Sequence, residues 1–141
     1  MTSDSAERER ALDPERSFIV EAPAGSGKTG LLTQRFLRLL GGVERCESVV
    51  AMTFTRKAAA EMRERIVSAL EAADKPADEL SDYERRTHDL AVAALANSRQ
   101  RSWNLLDDLQ QLLAFHFMVN ALIAGTIASA LPQAISSAPG H

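Results

Sequence analysis

The sequence predicts an α/β fold with a parallel sheet, flanking helices and a helical C-terminal half. Two short apolar segments, residues 17–21 and 48–54, have the composition of buried strands. Each is followed by a stretch whose apolar residues recur at helical spacing. A strand–helix–strand–helix order implies parallel strands joined by right-handed crossovers. With two strands alone, the predicted sheet is incomplete.

The first half of the chain is expected to hold one such strand–helix unit. Residues 1–16 are predicted to form a short helix or arm, and residues 17–21 the first strand. Apolar side chains at 31, 32, 36, 39 and 40 predict a helix over residues 29–40. Gly41 and Gly42 then supply a helix stop.

The second unit carries clear capping signals. Residues 48–54 are rich in β-branched and apolar types, and Thr55 can cap a helix over residues 56–72. Ser81 and Glu84 form a capping box that opens another helix ending near Asn97. A further helix is predicted to begin near Ser102.

Composition limits the classes of function. The net charge is −3, so any contact with nucleic acid must come from a local basic patch. The single cysteine, Cys46, excludes an internal disulfide and is expected to be a packing residue. The polar first residues lack the apolar core of a secretory signal. These features together favour a reducing, cytoplasmic location.

The loop after the first strand has the composition of a phosphate-binding (Walker A) loop. Gly25 and Gly27 let backbone N–H groups approach an anion, and the following helix directs its positive end toward it. Lys28 would bind the β and γ phosphates, and Thr29 would bind Mg²⁺, which makes this pair the predicted catalytic residues. The alternative is a glycine-rich turn with a surface lysine. The predicted nucleotide-binding residues are Ala22, Pro23, Ala24, Gly25, Ser26, Gly27, Lys28 and Thr29. The predicted sheet is therefore of the P-loop NTPase type.

A second motif follows the second strand, and its residues are Thr53, Phe54, Thr55, Arg56 and Lys57, continuing as Ala-Ala-Ala-Glu-Met. Together with APAGSGKT, it resembles the UvrD/RecB/AddA-like branch of the superfamily 1 DNA helicases. In that family the phosphate loop commonly begins with alanine, as it does here at Ala22. The resemblance covers roughly residues 10–112. It implies that ATP and Mg²⁺ are the cofactors, and that single-stranded DNA and partner helicase or nuclease subunits are the partners.

The resemblance assigns the second motif to single-stranded DNA, and the residue types are suited to that task. Thr53 and Thr55 offer hydroxyls to phosphates, while Arg56 and Lys57 add positive charge at a helix start. Phe54 would either support a base or pack in the core. The alternative for the two basic residues is a solvated helix start.

Two features depart from the family. The family usually has a glutamine upstream of the loop that recognises adenine, and this glutamine is missing here. Arg10 and Leu12 lie about where it is expected. No later strand ending in Asp-Glu follows, and Asp107 and Asp108 lie in a predicted helix. Because hydrolysis needs that motif and a second motor domain, the chain is expected to bind nucleotide but to turn it over poorly or not at all.

The end of the chain differs in composition from the rest. All Lys, Arg, Asp and Glu residues lie within residues 1–108. We therefore divide the chain into a partial motor domain, residues 1–112, and a divergent apolar helical tail, residues 113–141. A frameshift or a fragment joined to unrelated sequence is favoured. A membrane segment over residues 112–131 is disfavoured by His116 and Asn120 within it, and a buried or interfacial helix is the third alternative.

The sequence thus supports one main hypothesis and two alternatives. The main hypothesis is the ATP-binding N-terminal fragment of a DNA helicase acting in repair or recombination. The first alternative is a stand-alone module that binds nucleotide and single-stranded DNA without turnover. The second is a membrane-anchored protein that uses the apolar tail.

Overall fold

The computed structural model describes residues 3–53 and 55–109, which fold as helices around one apolar core. The longest, α4, packs against α2 and α3, while α2 also contacts α3 and α1. A short 3₁₀ helix, Cys46–Ser48, precedes the second motif, and residues 105–109 form a last helical turn. The α-helices are α1 (Ser3–Ala11), α2 (Lys28–Leu40), α3 (Arg56–Ala72) and α4 (Asp82–Gln100).

The predicted parallel sheet is wrong for the described part of the chain, which contains helices and loops but no strand. Residues 17–21 and 48–53, predicted as buried strands, run without a ladder. Their apolar side chains are largely outside the core: Ile19 is 92% exposed and Met52 is 68% exposed. The P-loop NTPase-type sheet is therefore replaced by a helical arrangement.

The physical reason is that β-propensity measures the fit of a side chain to a paired, half-buried surface. Val49 has extended dihedral angles, φ −97° and ψ 112°, and its side chain is buried. An extended segment becomes a strand only when a neighbouring extended segment accepts hydrogen bonds from its N–H groups and donates hydrogen bonds to its carbonyls. Here the neighbouring segments are helices, so Val49 stays extended without a strand partner.

The caps confirm the helix ends predicted at Gly41, Thr55 and Ser81, whereas α4 runs to Gln100 rather than to the predicted Asn97. The α2 helix ends at Gly41, whose N–H donates to the Leu37 carbonyl over 3.1 Å. At the start of α3, the Thr55 hydroxyl accepts from the Ala58 N–H over 3.1 Å. Both halves of the predicted capping box at Ser81 and Glu84 are formed.

The core lies between α2, α3 and α4. Burial raises the pKa of the Cys46 thiol, to which the nearby carboxylates of Glu47 and Asp108 add, so Cys46 behaves as the packing residue predicted from the sequence. The largest fully buried side chains are Leu37, Leu40, Cys46, Ile66, Leu70 and Leu109.

The predicted division of the chain at residue 112, and the helix predicted over residues 112–131, lie outside the described residues. Within residues 3–53 and 55–109, none of the helices has the length and apolar character needed to cross a membrane.

Candidate nucleotide and DNA sites

The predicted phosphate loop forms a tight turn that leads directly into α2. The Ser26 N–H donates to the Pro23 carbonyl over 3.2 Å. Gly25 and Gly27 have φ values of +79° and +85°. Residues with side chains rarely adopt these angles, so the two glycines predicted from the sequence are the ones the backbone requires. The Leu31 N–H then donates to the Gly27 carbonyl over 3.0 Å, which closes the first turn of α2.

Lys28 and Thr29 open α2, and both side chains are exposed. The Lys28 Nζ donates to the carbonyl of Ala22, the first residue of the loop. This contact closes the loop on itself and places the ammonium group over the loop. A charged group held by a single carbonyl at the surface is readily released to a stronger acceptor.

A cleft of about 290 Å³ lies between α1 and the loop. Its walls carry charges of both signs, including Glu7, Arg10 and Lys28. The Ser26 hydroxyl is buried and has no hydrogen-bond partner among the described residues. The remaining lining residues are Asp4, Arg8, Ala11, Phe18, Ile19, Val20, Glu21, Ala22, Ser26, Gly27 and Leu31. The charged lining makes this cleft, on the α1 side of the loop, a polar one.

The two positions upstream of the loop where an adenine contact was expected occupy different environments. Arg10 lines the cleft, whereas Leu12 is buried in the core. Arg8, which sequence reasoning passed over, contacts the loop directly: its Nη2 donates to the Ser26 carbonyl over 2.8 Å. The partners are 18 residues apart, and no local sequence pattern signals such a contact.

Arg35 on α2 anchors the segment that leads into the loop. Its guanidinium donates to the carbonyls of Ala11, Asp13 and Arg16, the last over 2.8 Å. It also lies 5.4 Å from the centre of the Phe18 ring, a cation–π contact. One side chain therefore fixes the path of residues 11–18, and sequence reasoning missed it because α2 and this segment meet only in the folded chain.

The second motif lies at the start of α3, which packs against α2. The Thr53 hydroxyl donates to the Thr55 carbonyl over 3.1 Å, so its proton is already engaged. The Thr55 oxygen accepts from the helix backbone, and none of the described residues accepts its proton. Arg56 and Lys57 are exposed, and Phe54 lies outside the described residues.

Side chains that commonly bind metal ions are dispersed in the described part of the chain. Among residues 3–53 and 55–109, no group of three or more His, Cys, Asp or Glu side chains is arranged to hold a metal ion. His88 on α4 places its Nε2 3.1 Å from the Lys75 carbonyl.

Comparison with known families identifies the family of this chain. It belongs to the family described as the UvrD/REP helicase N-terminal domain, whose family model matches residues 3–129. The resemblance inferred from the two motifs is thereby confirmed.

Individual relatives align over about half of the chain. DNA helicase II of Haemophilus influenzae is 51% identical over 65 residues, which are 45% of this chain and 9% of the relative. DNA helicase II of Escherichia coli is 50% identical over 62 residues, which are 43% of this chain and 8% of the relative. An ATP-dependent helicase/nuclease subunit of Desulfitobacterium hafniense is 44% identical over 69 residues, which are 47% of this chain and 5% of the relative.

The aligned region spans less than a tenth of each of these relatives. The chain therefore corresponds to a partial N-terminal region of a UvrD-type helicase. No solved structure matches the chain significantly.

Proposed function

We propose that residues 22–29 bind ATP with Mg²⁺ and that residues 53–57 bind single-stranded DNA. The chain would then supply the ATP-binding N-terminal part of a DNA helicase that acts in repair or recombination. Membership of the UvrD/REP family supports this proposal. The name of one relative, a helicase/nuclease subunit, makes further protein subunits the expected partners.

The observation that carries the nucleotide proposal is the backbone of the loop. Two glycines with positive φ lead into a helix that begins at Lys28, and the Lys28 side chain is folded back over the loop. A loop of this kind can present backbone N–H groups and a lysine ammonium group to one anion, which suits a polyphosphate.

On binding, the Lys28 ammonium would exchange the Ala22 carbonyl for phosphate oxygens, which are stronger acceptors because they are charged. The Thr29 hydroxyl, exposed in the first turn of α2, would be the protein's ligand to Mg²⁺. Phosphate oxygens and water would fill the other positions of the ion, as is usual for magnesium bound with a nucleotide.

The DNA proposal depends on the start of α3. The Thr55 proton is available to a phosphate oxygen, and Lys57 adds an exposed positive charge in the first turn of the helix. Contacts of this kind go to the backbone of the nucleic acid, so binding would be tolerant of sequence.

The nucleotide proposal is tested with Lys28→Ala. We expect wild-type chain to bind Mg·ATP in isothermal titration calorimetry, and the variant to lose all measurable binding because the phosphates lose their cation. Lys75→Ala removes an exposed lysine from the loop between α3 and α4 and serves as the matched control. Equal affinity of the wild type and Lys28→Ala would refute the site.

The DNA proposal is tested with Lys57→Ala in fluorescence anisotropy with labelled single-stranded oligonucleotides. We expect weaker binding to every sequence and a slope of log affinity against log salt that is smaller by about one. Lys75→Ala again serves as the control. An unchanged salt slope in Lys57→Ala would show that this side chain does not contact DNA.

A further inference from the structure

The contact between Arg8 and the loop has a consequence for the direction of the loop's N–H groups. Arg8 lies on α1 and donates to the Ser26 carbonyl over 2.8 Å. In a trans peptide the C=O and the following N–H point in opposite directions. None of the described peptide bonds is cis. Fixing the Ser26 carbonyl toward α1 therefore directs the Gly27 N–H away from α1.

The direction of the Gly27 peptide matters because an anion-binding loop works only when its N–H groups, rather than its carbonyls, face the anion. Gly27 has φ +85° and ψ +20°, and without a Cβ its peptide could rotate at low cost. A peptide flip would turn the Ser26 carbonyl toward the phosphates and repel them. A donor that fixes the Ser26 carbonyl would hold the plane of this peptide.

The guanidinium of Arg8 occupies the right place to do this. A Cβ atom added to Gly27 would lie 3.3 Å from the Arg8 Nη2 and 3.4 Å from the Arg8 Nη1. The guanidinium group therefore covers one side of Gly27. Its Nε donates to Asp4, one turn earlier on α1, over 2.9 Å. Asp4 and the Ser26 carbonyl thus bind different nitrogens of the planar group and fix its orientation.

We propose that Arg8 is a positioning residue of the nucleotide site: it holds the Ser26–Gly27 peptide so that the Gly27 N–H faces the phosphates. This inference deepens the proposed function and rests on it. The loop supplies the groups that bind, and α1 supplies the restraint. The ligand is a polyphosphate. Arg8 takes no part in recognising the base of a nucleotide.

The first test follows the loop itself in the ¹⁵N-labelled chain without nucleotide. Arg8→Ala should shift the Gly27 amide resonance and speed its hydrogen exchange, because the peptide loses its restraint. The control is Arg86→Ala, which removes the ion pair between Arg86 and Glu9 that ties α1 to α4 without touching the loop. The proposal is overturned if the resonance and the exchange rate of the Gly27 amide are unchanged in Arg8→Ala, or if Arg86→Ala changes them equally. Because no nucleotide is present, this result does not depend on the proposed function.

The second test measures affinity for Mg·ATP and for Mg·tripolyphosphate, a ligand without a base. Arg8→Ala loses a charged hydrogen bond that orders the loop, so its affinity for each ligand should be about tenfold weaker than that of the wild type. Arg8→Gln keeps a donor without the charge and should recover part of the loss for both ligands. A loss confined to ATP would assign Arg8 to the nucleoside and overturn the proposal, as would unchanged affinity for both. Absence of binding by the wild type would instead refute the proposed function.

Discussion

At the scale of single residues, two side chains tie α2 to distant parts of the chain. Arg35 on α2 anchors the segment before the loop, and Asn97 on α4 closes the C-terminal end of α2. The Asn97 Nδ2 donates to the carbonyls of Leu40 and Val43 over 2.8 and 2.9 Å. These carbonyls belong to the last turn of α2 and the residues beyond it, where no helical partner follows.

Asn97→Ala should therefore destabilise the fold by about 1–3 kcal/mol, because two carbonyls at a partly buried position lose their donor. The measurement is urea-induced unfolding followed by circular dichroism. Gln100→Ala, at the exposed end of the same helix, is the control and should change the free energy of unfolding by less than about 0.5 kcal/mol. Equal stabilities of the wild type and Asn97→Ala would show that water replaces the side chain fully.

At the scale of elements, the start of α4 carries a pH-dependent contact. The Ser81 hydroxyl and the Ser81 N–H both donate to Glu84, the latter over 2.9 Å. These bonds favour the ionised carboxylate and lower the pKa of Glu84 from its ordinary value of 4.5. A carboxyl group whose pKa is lowered by folding stabilises the folded state above its ordinary pKa, and that contribution is lost as the pH falls through the folded value.

We therefore expect the wild type to lose more stability than Glu84→Gln as the pH falls from neutrality to below 4.5. The glutamine side chain has no charge to lose. Thermal unfolding across this pH range measures the difference. Parallel pH profiles for the two proteins would show that the capping box contributes no pH-dependent stability.

Most helix ends were predictable from the sequence, whereas the two predicted strands were wrong for the described residues. Thr55, Ser81 and Gly41 act on backbone groups within four residues, so the information that specifies them is local. A strand requires a partner that is distant in the sequence. Apolar residues such as Ile19 and Met52 satisfied the pattern of a strand without forming a ladder. The loop glycines were predictable because positive φ has a clear residue preference.

At the scale of the whole molecule, the candidate nucleotide site is built on side-chain contacts rather than on a sheet. The segment before the loop is held by Arg35, and the loop is held by Arg8, while the core lies between α2, α3 and α4. The contacts of Arg8 and Arg35 with the backbone span 18 to 24 residues, which explains why the sequence did not reveal them. Regions fastened by few contacts open more readily than a packed core. Nucleotide should therefore order residues 22–29 more than any helix of the core.

The most direct test of the central claim is a titration of the ¹⁵N-labelled chain with Mg·ATP, following each backbone amide. The account predicts saturable shifts concentrated in residues 22–29, largest at Gly25, Gly27 and Lys28, and absent in Lys28→Ala. Saturable shifts that lie elsewhere, or identical shifts in Lys28→Ala, would contradict the claim that this loop binds the nucleotide.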